Sequence, residues 1–427
     1  MEPNGRIPPQ LWMRAPETQA VLSALQASGT TVRFVGGCVR DAVLGQQVSD
    51  IDIATPDRPE TVMNLLEKAG LKAVPTGLQH GTVTAVADHQ PFEITTLRED
   101  VDTDGRRAHV AFTESWIADA ARRDFTMNAM FCEADGTLYD PFGGWADLLA
   151  GLVRFVGDPD QRIAEDYLRI LRFFRFHARY GMGAPDPAGL AAAEHHAPRL
   201  ATLSGERVRD EILKLLCACR PVGTVAVLRD RCILEHVLPF PIRVARLNAL
   251  VCLEQELGET PDGLRRLAAT FAIDVGAVPR MASSLRLSKQ QSQRLLRLAS
   301  LDPAEVPTAP GHALRVKLYR EGAVAMRDAV FMAFASHWQS EEALEITALE
   351  AVLSAIRDWT PKRLPIDGAD VQAAGVPEGP DVGRYLKAVE AWWLARDFEP
   401  GRAACLACLQ MLCQNGAALG DRLWPGG

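Results

Sequence analysis

The 427-residue sequence has no run of about 18 apolar residues unbroken by charge, so no membrane-spanning helix is expected. Its opening stretch, MEPNGRIPPQLWMRAPE, has prolines and acids but no apolar core of the signal-peptide kind. A basic excess is missing too. Lys and Arg number 46 against 54 Asp and Glu, which gives a net charge of −8 and argues against a basic coat for nucleic acid over the whole surface. A local basic groove stays open, because only the surface near phosphate matters. The nine cysteines are an odd number, and the Cys405, Cys408 and Cys413 cluster, a metal hint at first, has no second pair of ligands. Cys405, Cys408 and Cys413 lie among Leu406, Leu409, Met411 and Leu412 in a helical pattern and read as buried thiols. A reducing, cytoplasmic compartment fits this usage. The nine histidines contain no His-Asp doublet, which gives no support to a metal-dependent phosphohydrolase domain. What is present is 48% hydrophobic and 23% charged residues, enough core for roughly two to four globular domains.

The most informative stretch is Arg33 to Thr55, RFVGGCVRDAVLGQQVSDIDIAT. It reads as strand, Gly36-Gly37 turn, short helix bearing Arg40, and a second strand with Asp50 and Asp52. Carboxylates at i and i+2 of a strand point the same way, and the repulsion gains the strand nothing. A divalent cation between them removes the problem, and hard oxygen ligands suit Mg²⁺ with substrate phosphates. The two glycines allow close backbone approach and offer N–H groups to an anion. A metal-dependent phosphoryl or nucleotidyl transfer site follows. A second cluster is Arg122–Ala129, RRDFTMNA. Adjacent arginines before a strand call for anions, and guanidinium groups bind phosphate in bidentate fashion. Asp124 and Asn128 then contact ribose hydroxyls or hold the arginines.

The remaining elements of this first part alternate short strands with helices. A helix is expected over residues 16–28 and another over 59–69, and strands over 71–75, 81–88 and 91–97, which suggests a mixed sheet and not a doubly wound one. Arg98–Arg107, REDVDTDGRR, lacks apolar periodicity and reads as a mobile loop. Residues 157–180 read as one helix with a core stripe of Ile163, Leu168, Leu171, Phe174 and Ala178. Arg162, Asp166, Arg169 and Arg172 share another face of it.

GGCVRD followed by SDIDIAT, with RRDFTMNA, DPFGGWADL and the EDYLR segment, resembles the class II tRNA nucleotidyltransferase and bacterial poly(A) polymerase family. The resemblance is strong over residues 32–216 and weak beyond. It implies an α+β chain: a nucleotidyltransferase mixed-sheet head (31–150) after an N-terminal helix or extension (1–30), then all-α neck (151–220), body (221–360) and tRNA-binding tail (361–427). By resemblance, Glu93 joins Asp50 and Asp52 as catalytic acids, and Asp50 and Asp52 hold Mg²⁺ in a two-metal mechanism. Nucleotide-binding residues are implied at Gly36, Gly37, Arg40, Arg122, Arg123, Asp124, Asn128, Arg162, Asp166, Arg169 and Arg172. The 98–107 loop is implied to help the switch from adding C to adding A. Asp140, Asp147, Glu206, Arg207 and Glu211 read as structural.

Glu165, Asp166 and Arg169 match the nucleobase-selecting motif. Cytosine and adenine both present an amino donor beside a ring-nitrogen acceptor, whereas guanine and uracil present the reverse. Asp166 only accepts and Arg169 only donates, so together they fit C and A. The activity implied is template-independent addition of C, C and A to the 3′ end of tRNA from CTP and ATP, with pyrophosphate released. Three rivals stand beside it. A poly(A) polymerase tends to carry a basic C-terminal extension, and this chain ends RLWPGG. A CC-adding enzyme tends to shorten the 98–107 loop. A noncatalytic RNA-binding relative is expected to lose the acids.

Overall fold

The computed structural model describes residues 1–103, 108–337 and 346–415. They form two compact units, one of Met1–Val244 with Pro261–Gly263 and Pro279–Ser288, the other of the remaining residues.

The first unit is built on a mixed sheet of eight strands in the order β1-β10-β9-β2-β3-β6-β5-β4. These are β1 (Gly5–Arg6), β2 (Arg33–Val35), β3 (Ile51–Thr55), β4 (Lys72–Gly77), β5 (Thr82–Ala87), β6 (Gln90–Thr96), β9 (Phe131–Cys132) and β10 (Thr137–Tyr139). A separate ribbon pairs β7 (Arg98–Thr103) with β8 (Ala108–Phe112). Only β3 and β6 run parallel; the other ladders are antiparallel. Period-2 alternation explains the sheet: along β5, Val83, Ala85 and Ala87 are buried while Thr84 and Val86 between them are half-buried. Helices α2 (Pro16–Gln26) and α4 (Pro59–Lys68) pack on this sheet, while α1 (Leu11–Arg14) and α3 (Gly37–Val43) flank β1 and β2 in the chain.

After β8 come α5 (Trp116–Ala121) and α6 (Gly144–Leu149), then the helices α7 (Pro159–Glu165), α8 (Leu168–Tyr180), α9 (Pro187–His196), α10 (Gly205–Leu216) and α11 (Pro221–Asp230). Phe125 and Phe155, joined by a backbone bridge, pack with Phe173 and Phe176 of α8 at ring separations of 4.9 to 6.5 Å. That aromatic cluster fastens α8 to the sheet domain. Asp140 accepts from the Gly144 and Trp145 N–H groups, and Asp147 from Thr126 Oγ1, so both acids are structural.

The second unit is helical throughout its described residues, from Val244–Glu256 to Arg402–Asn415. Buried Glu254 accepts from Arg265 and Arg266, and buried Asp328 from Arg294. Arg315 pairs with Asp397. Cys405 and Cys408 lie in the core around Trp393 and Val389, and burial pushes the Cys408 thiol up to about 11. The whole is α+β, as the sequence pattern and the resemblance imply.

Within residues 1–30, Gly5 pairs with Leu138 at the sheet edge and Met13 is fully buried. Two expectations are corrected. Residues 98–103 are strand and not loop; a ribbon held by backbone hydrogen bonds leaves no apolar periodicity to read. Residues 104–107, and the RLWPGG terminus, lie outside the described residues. The expected helix over 157–180 is two helices, interrupted at Asp166 with φ −157° and ψ 105°.

Candidate active site

The β2–α3 turn sets the geometry. Gly36 sits at φ +73°, in the left-handed region that favours glycine. A Cβ there would lie 3.3 Å from Arg123 Nη1 and 3.9 Å from Asp52 Oδ2, so the bare backbone lets both groups close over the turn. Asp52 lies within β3 and faces Glu93 of β6 in direct parallel register. Glu93 is exposed between buried Phe92 and Ile94, the alternation expected. Asp50 precedes the strand, is exposed, and accepts from Ser49 Oγ at 3.2 Å.

Burial pushes the Asp52 carboxyl up to about 6, and Glu93 and Asp50 add to the rise while Arg123 and Arg40 oppose it. Among the described residues these acids do not close into a group of three whose oxygens all lie within 4.8 Å of one another. The donor set, hard oxygens on adjoining strands with an unfavourable negative charge, fits a divalent cation.

The arginines have a counter-ion that the sequence reading missed. Asp119 on α5 is fully buried and accepts from Arg122 Nε at 2.9 Å and from Arg123 Nη2 at 2.9 Å. Burial alone would raise its carboxyl, but the two guanidinium groups outweigh that and hold it low. The signal was present as i,i+3 and i,i+4 spacing. Asp124 is fixed in the same way. Burial opposes its charge, yet Arg172, with Nε at 2.9 Å, and N–H donors from Asn128 and Phe125 keep it low. Asn128 Oδ1 in turn accepts from Arg40 Nη1 at 2.7 Å, and Arg40 also reaches Asp41 and lies 4.5 Å from the Tyr180 ring centre. Asp124 and Asn128 therefore hold arginines.

At the break between α7 and α8, Asp166 Oδ1 accepts from the Leu168 N–H at 3.1 Å and Oδ2 from Arg207 at 2.6 Å. Arg169, in the first turn of α8, donates to the Arg162 carbonyl at 2.7 Å and pairs with Glu165. Arg162 itself reaches Glu165 at 3.0 Å and the Val156 carbonyl at 3.1 Å. The Asp166 and Arg169 side chains are thus held by different partners, while the backbone N–H of Arg169 donates to the Asp166 carbonyl. Glu211 is buried and bridges Arg172 and Arg175.

These groups surround a cleft of about 400 Å³. Gly36, Gly37, Arg40, Asp52, Arg122, Arg123, Asp124, Asn128, Asp166, Arg169 and Arg172 line it, together with Phe176, which the sequence reading did not single out. Asp50, Glu93 and Arg162 are not on its wall; Glu93 sits beside Asp52 on β6, Asp50 just before β3, and the Arg162 carbonyl accepts from Arg169. The cleft brings a strand-borne acid, a row of guanidinium groups and a donor–acceptor pair to one place.

Residues 32–154 match the family described as the Poly A polymerase head domain, and residues 184–242 match the probable RNA and SrmB-binding site of polymerase A. The chain is 33% identical over 366 residues to the mitochondrial CCA tRNA nucleotidyltransferase 1 of Mus musculus, covering 85% of this chain and 82% of that protein. It is 31% identical over 379 residues to the CCA-adding enzyme of Levilactobacillus brevis, covering 87% and 91%. The crystal structure of the Bacillus stearothermophilus CCA-adding enzyme in complex with CTP superposes with a TM-score of 0.71 at 26% identity, over 94% of this chain and 98% of that one. The chain belongs to the CCA tRNA nucleotidyltransferase family.

Proposed function

We propose that this enzyme adds C, C and A in turn to the 3′ end of tRNA, using CTP and ATP and releasing pyrophosphate. The observation that carries the reading is the single cleft shared by Asp52, by Arg122 and Arg123, and by Asp166 and Arg169. The tRNA 3′-hydroxyl attacks the α-phosphorus of the nucleotide; the new P–O bond forms as the bond to the bridging oxygen breaks, and pyrophosphate leaves. Asp50 and Asp52 would hold the divalent cation, magnesium in our reading, with Glu93 beside them. When bound, that ion supplies positive charge for the phosphates and acidifies the attacking hydroxyl. Arg122 and Arg123, oriented by Asp119, receive the triphosphate. Gly36 and Gly37 admit it close to the backbone.

Asp166 accepts from the exocyclic amino group of C or A, and Arg169 donates to the neighbouring ring nitrogen. A carboxylate has about four lone-pair sites, so the two bonds Asp166 already accepts leave capacity for a base. Arg40, Asp124, Asn128 and Arg172 hold the head to α8, and Arg162 positions Arg169 through Glu165. On this reading residues 31–150 are the catalytic head, with 1–30 completing its sheet; 151–220 are the neck, 221–360 the body and 361–427 a tRNA-binding tail. No helix of the described residues is long and apolar enough to cross a membrane, and all nine cysteines are free thiols, which favours the reducing cytoplasm.

The test is incubation of the protein with tRNA lacking its last three nucleotides, with CTP, ATP or both. Ordered addition of CCA followed by arrest is the expected product. An open-ended A tail would assign poly(A) polymerase activity instead, and arrest after CC a partial enzyme.

A further inference from the structure

The wall of the cleft does not use the outer side of α7 or the C-terminal end of α9. There, Asp160 of α7 meets the adjacent histidines His195 and His196 of α9. One ligand atom from each can be chosen so that all three lie within 4.8 Å of one another, a spacing that no other group of three or more His, Cys, Asp or Glu meets among the described residues. His196 Nε2 lies 3.1 Å from Asp160 Oδ1, but not in hydrogen-bond geometry, and the nitrogen is buried with no hydrogen-bond partner. A buried imidazole nitrogen without a hydrogen bond is costly, and an ion held jointly by it and the neighbouring carboxylate would remove that cost. The two imidazole rings stand nearly perpendicular, 4.7 Å apart between centres, so they approach a shared point from different directions.

We infer that Asp160, His195 and His196 form a second cation site, of the two-imidazole, one-carboxylate type that takes a zinc-class transition ion. Imidazole nitrogen suits zinc and its neighbours in the first transition row and is a poor ligand for magnesium, so the site is chemically distinct from the acids on β3 and β6. Tetrahedral zinc ligands at 2.0–2.1 Å stand roughly 3.4 Å apart. His196 Nε2 and Asp160 Oδ1 are already near that spacing, so side-chain rotation that brings His195 to it completes three corners. Water takes the fourth. The bound ion ties α7 to α9. The Tyr167 ring, whose residue follows Asp166 at the helix break, lies 5.9 Å from the His196 ring, so the ion sits one side chain from the segment that carries Asp166.

The test uses zinc and cobalt chlorides with the full-length protein in millimolar magnesium, which keeps the strand acids occupied. The wild type is expected to bind one zinc ion per chain, measured by competition with a chromophoric chelator, and to give the visible absorption of four-coordinate cobalt. His195 and Asp160 are exposed, so H195A and D160N should fold as the wild type does by circular dichroism. Each is expected to weaken binding by at least about 10–100-fold, the loss that outer-shell changes alone produce, and to abolish the cobalt spectrum. Unchanged zinc stoichiometry and affinity in H195A and D160N, or no zinc bound by the wild type at micromolar concentration, would overturn the site. CCA addition by the same variants in zinc-free buffer should match the wild type, which separates this site from the reading of the cleft.

Discussion

At the scale of single residues, the Asp52 carboxyl is the most exacting feature. Its ordinary value of 3.8 is raised to about 6 in the folded chain, so without a cation the carboxyl keeps its proton up to about pH 6 and is ionised, at a cost, above it. A raised carboxyl contributes stability that is complete below about pH 4 and is lost as pH rises through 6. At pH 7 to 8 in chelator-treated buffer, D52N should therefore be more stable than the wild type by up to about 3 kcal/mol, with the gain vanishing near pH 4. Denaturant midpoints at pH 4 and pH 8 measure it, and equal differences at both would show that Asp52 is not under this strain. Magnesium should raise the wild-type midpoint and leave D52N almost unmoved. Asp119 has the opposite character. Its removal leaves Arg122 and Arg123 without their counter-ion, and D119A should cost about 3 kcal/mol of stability and raise KM for both nucleotides. An unchanged KM would detach the arginine pair from the triphosphate. R169A should reduce use of CTP and ATP alike while cation binding at Asp52 survives; selective loss of one nucleotide would contradict a shared base-reading edge.

At the scale of elements, the β2–α3 turn and the α7–α8 break do the positioning. G36A places a side chain at φ +73° and 3.3 Å from Arg123 Nη1. The backbone cost alone is about 1–2 kcal/mol, and nucleotide binding should fall with it, read by thermal unfolding and by equilibrium titration of CTP. The turn, the strand and the short helix between them were legible in RFVGGCVRDAVLGQQVSDIDIAT, because glycine pairs and alternation leave composition signals. The core stripe of α7 and α8 was legible too: Ile163 of α7 and Leu168, Leu171, Phe174 and Ala178 of α8 are all buried. The break was not. Ile163 and Phe174 keep helical spacing across it, and what ends α7 is one residue's extended backbone, with the Asp166 side chain accepting the Leu168 N–H. The ribbon of β7 and β8 escaped for a related reason, since its pairing is carried by main-chain groups.

At the scale of the molecule, the motifs and the family resemblance pointed to most of the cleft wall but not to the bonds that hold it. Asp41 and Tyr180 gave no motif, because the bond between them joins distant parts of the chain, and Asp119 left only its local spacing to Arg122 and Arg123. In the second unit, Arg294 and Arg315 are each paired with an acid, Asp328 and Asp397. Their worth to RNA binding cannot be counted from composition. Chelation should abolish nucleotide addition, and magnesium should restore it.

The central claim is that triphosphate and base occupy opposite ends of one cleft, between the strand acids and the helix break. A crystal structure of the protein with CTP and magnesium tests it directly. The phosphates should lie against Asp52, Arg122 and Arg123, with the cytosine amino group on Asp166 and its ring nitrogen on Arg169. Phosphates bound away from Asp52, or a cytosine edge that meets neither Asp166 nor Arg169, would contradict it.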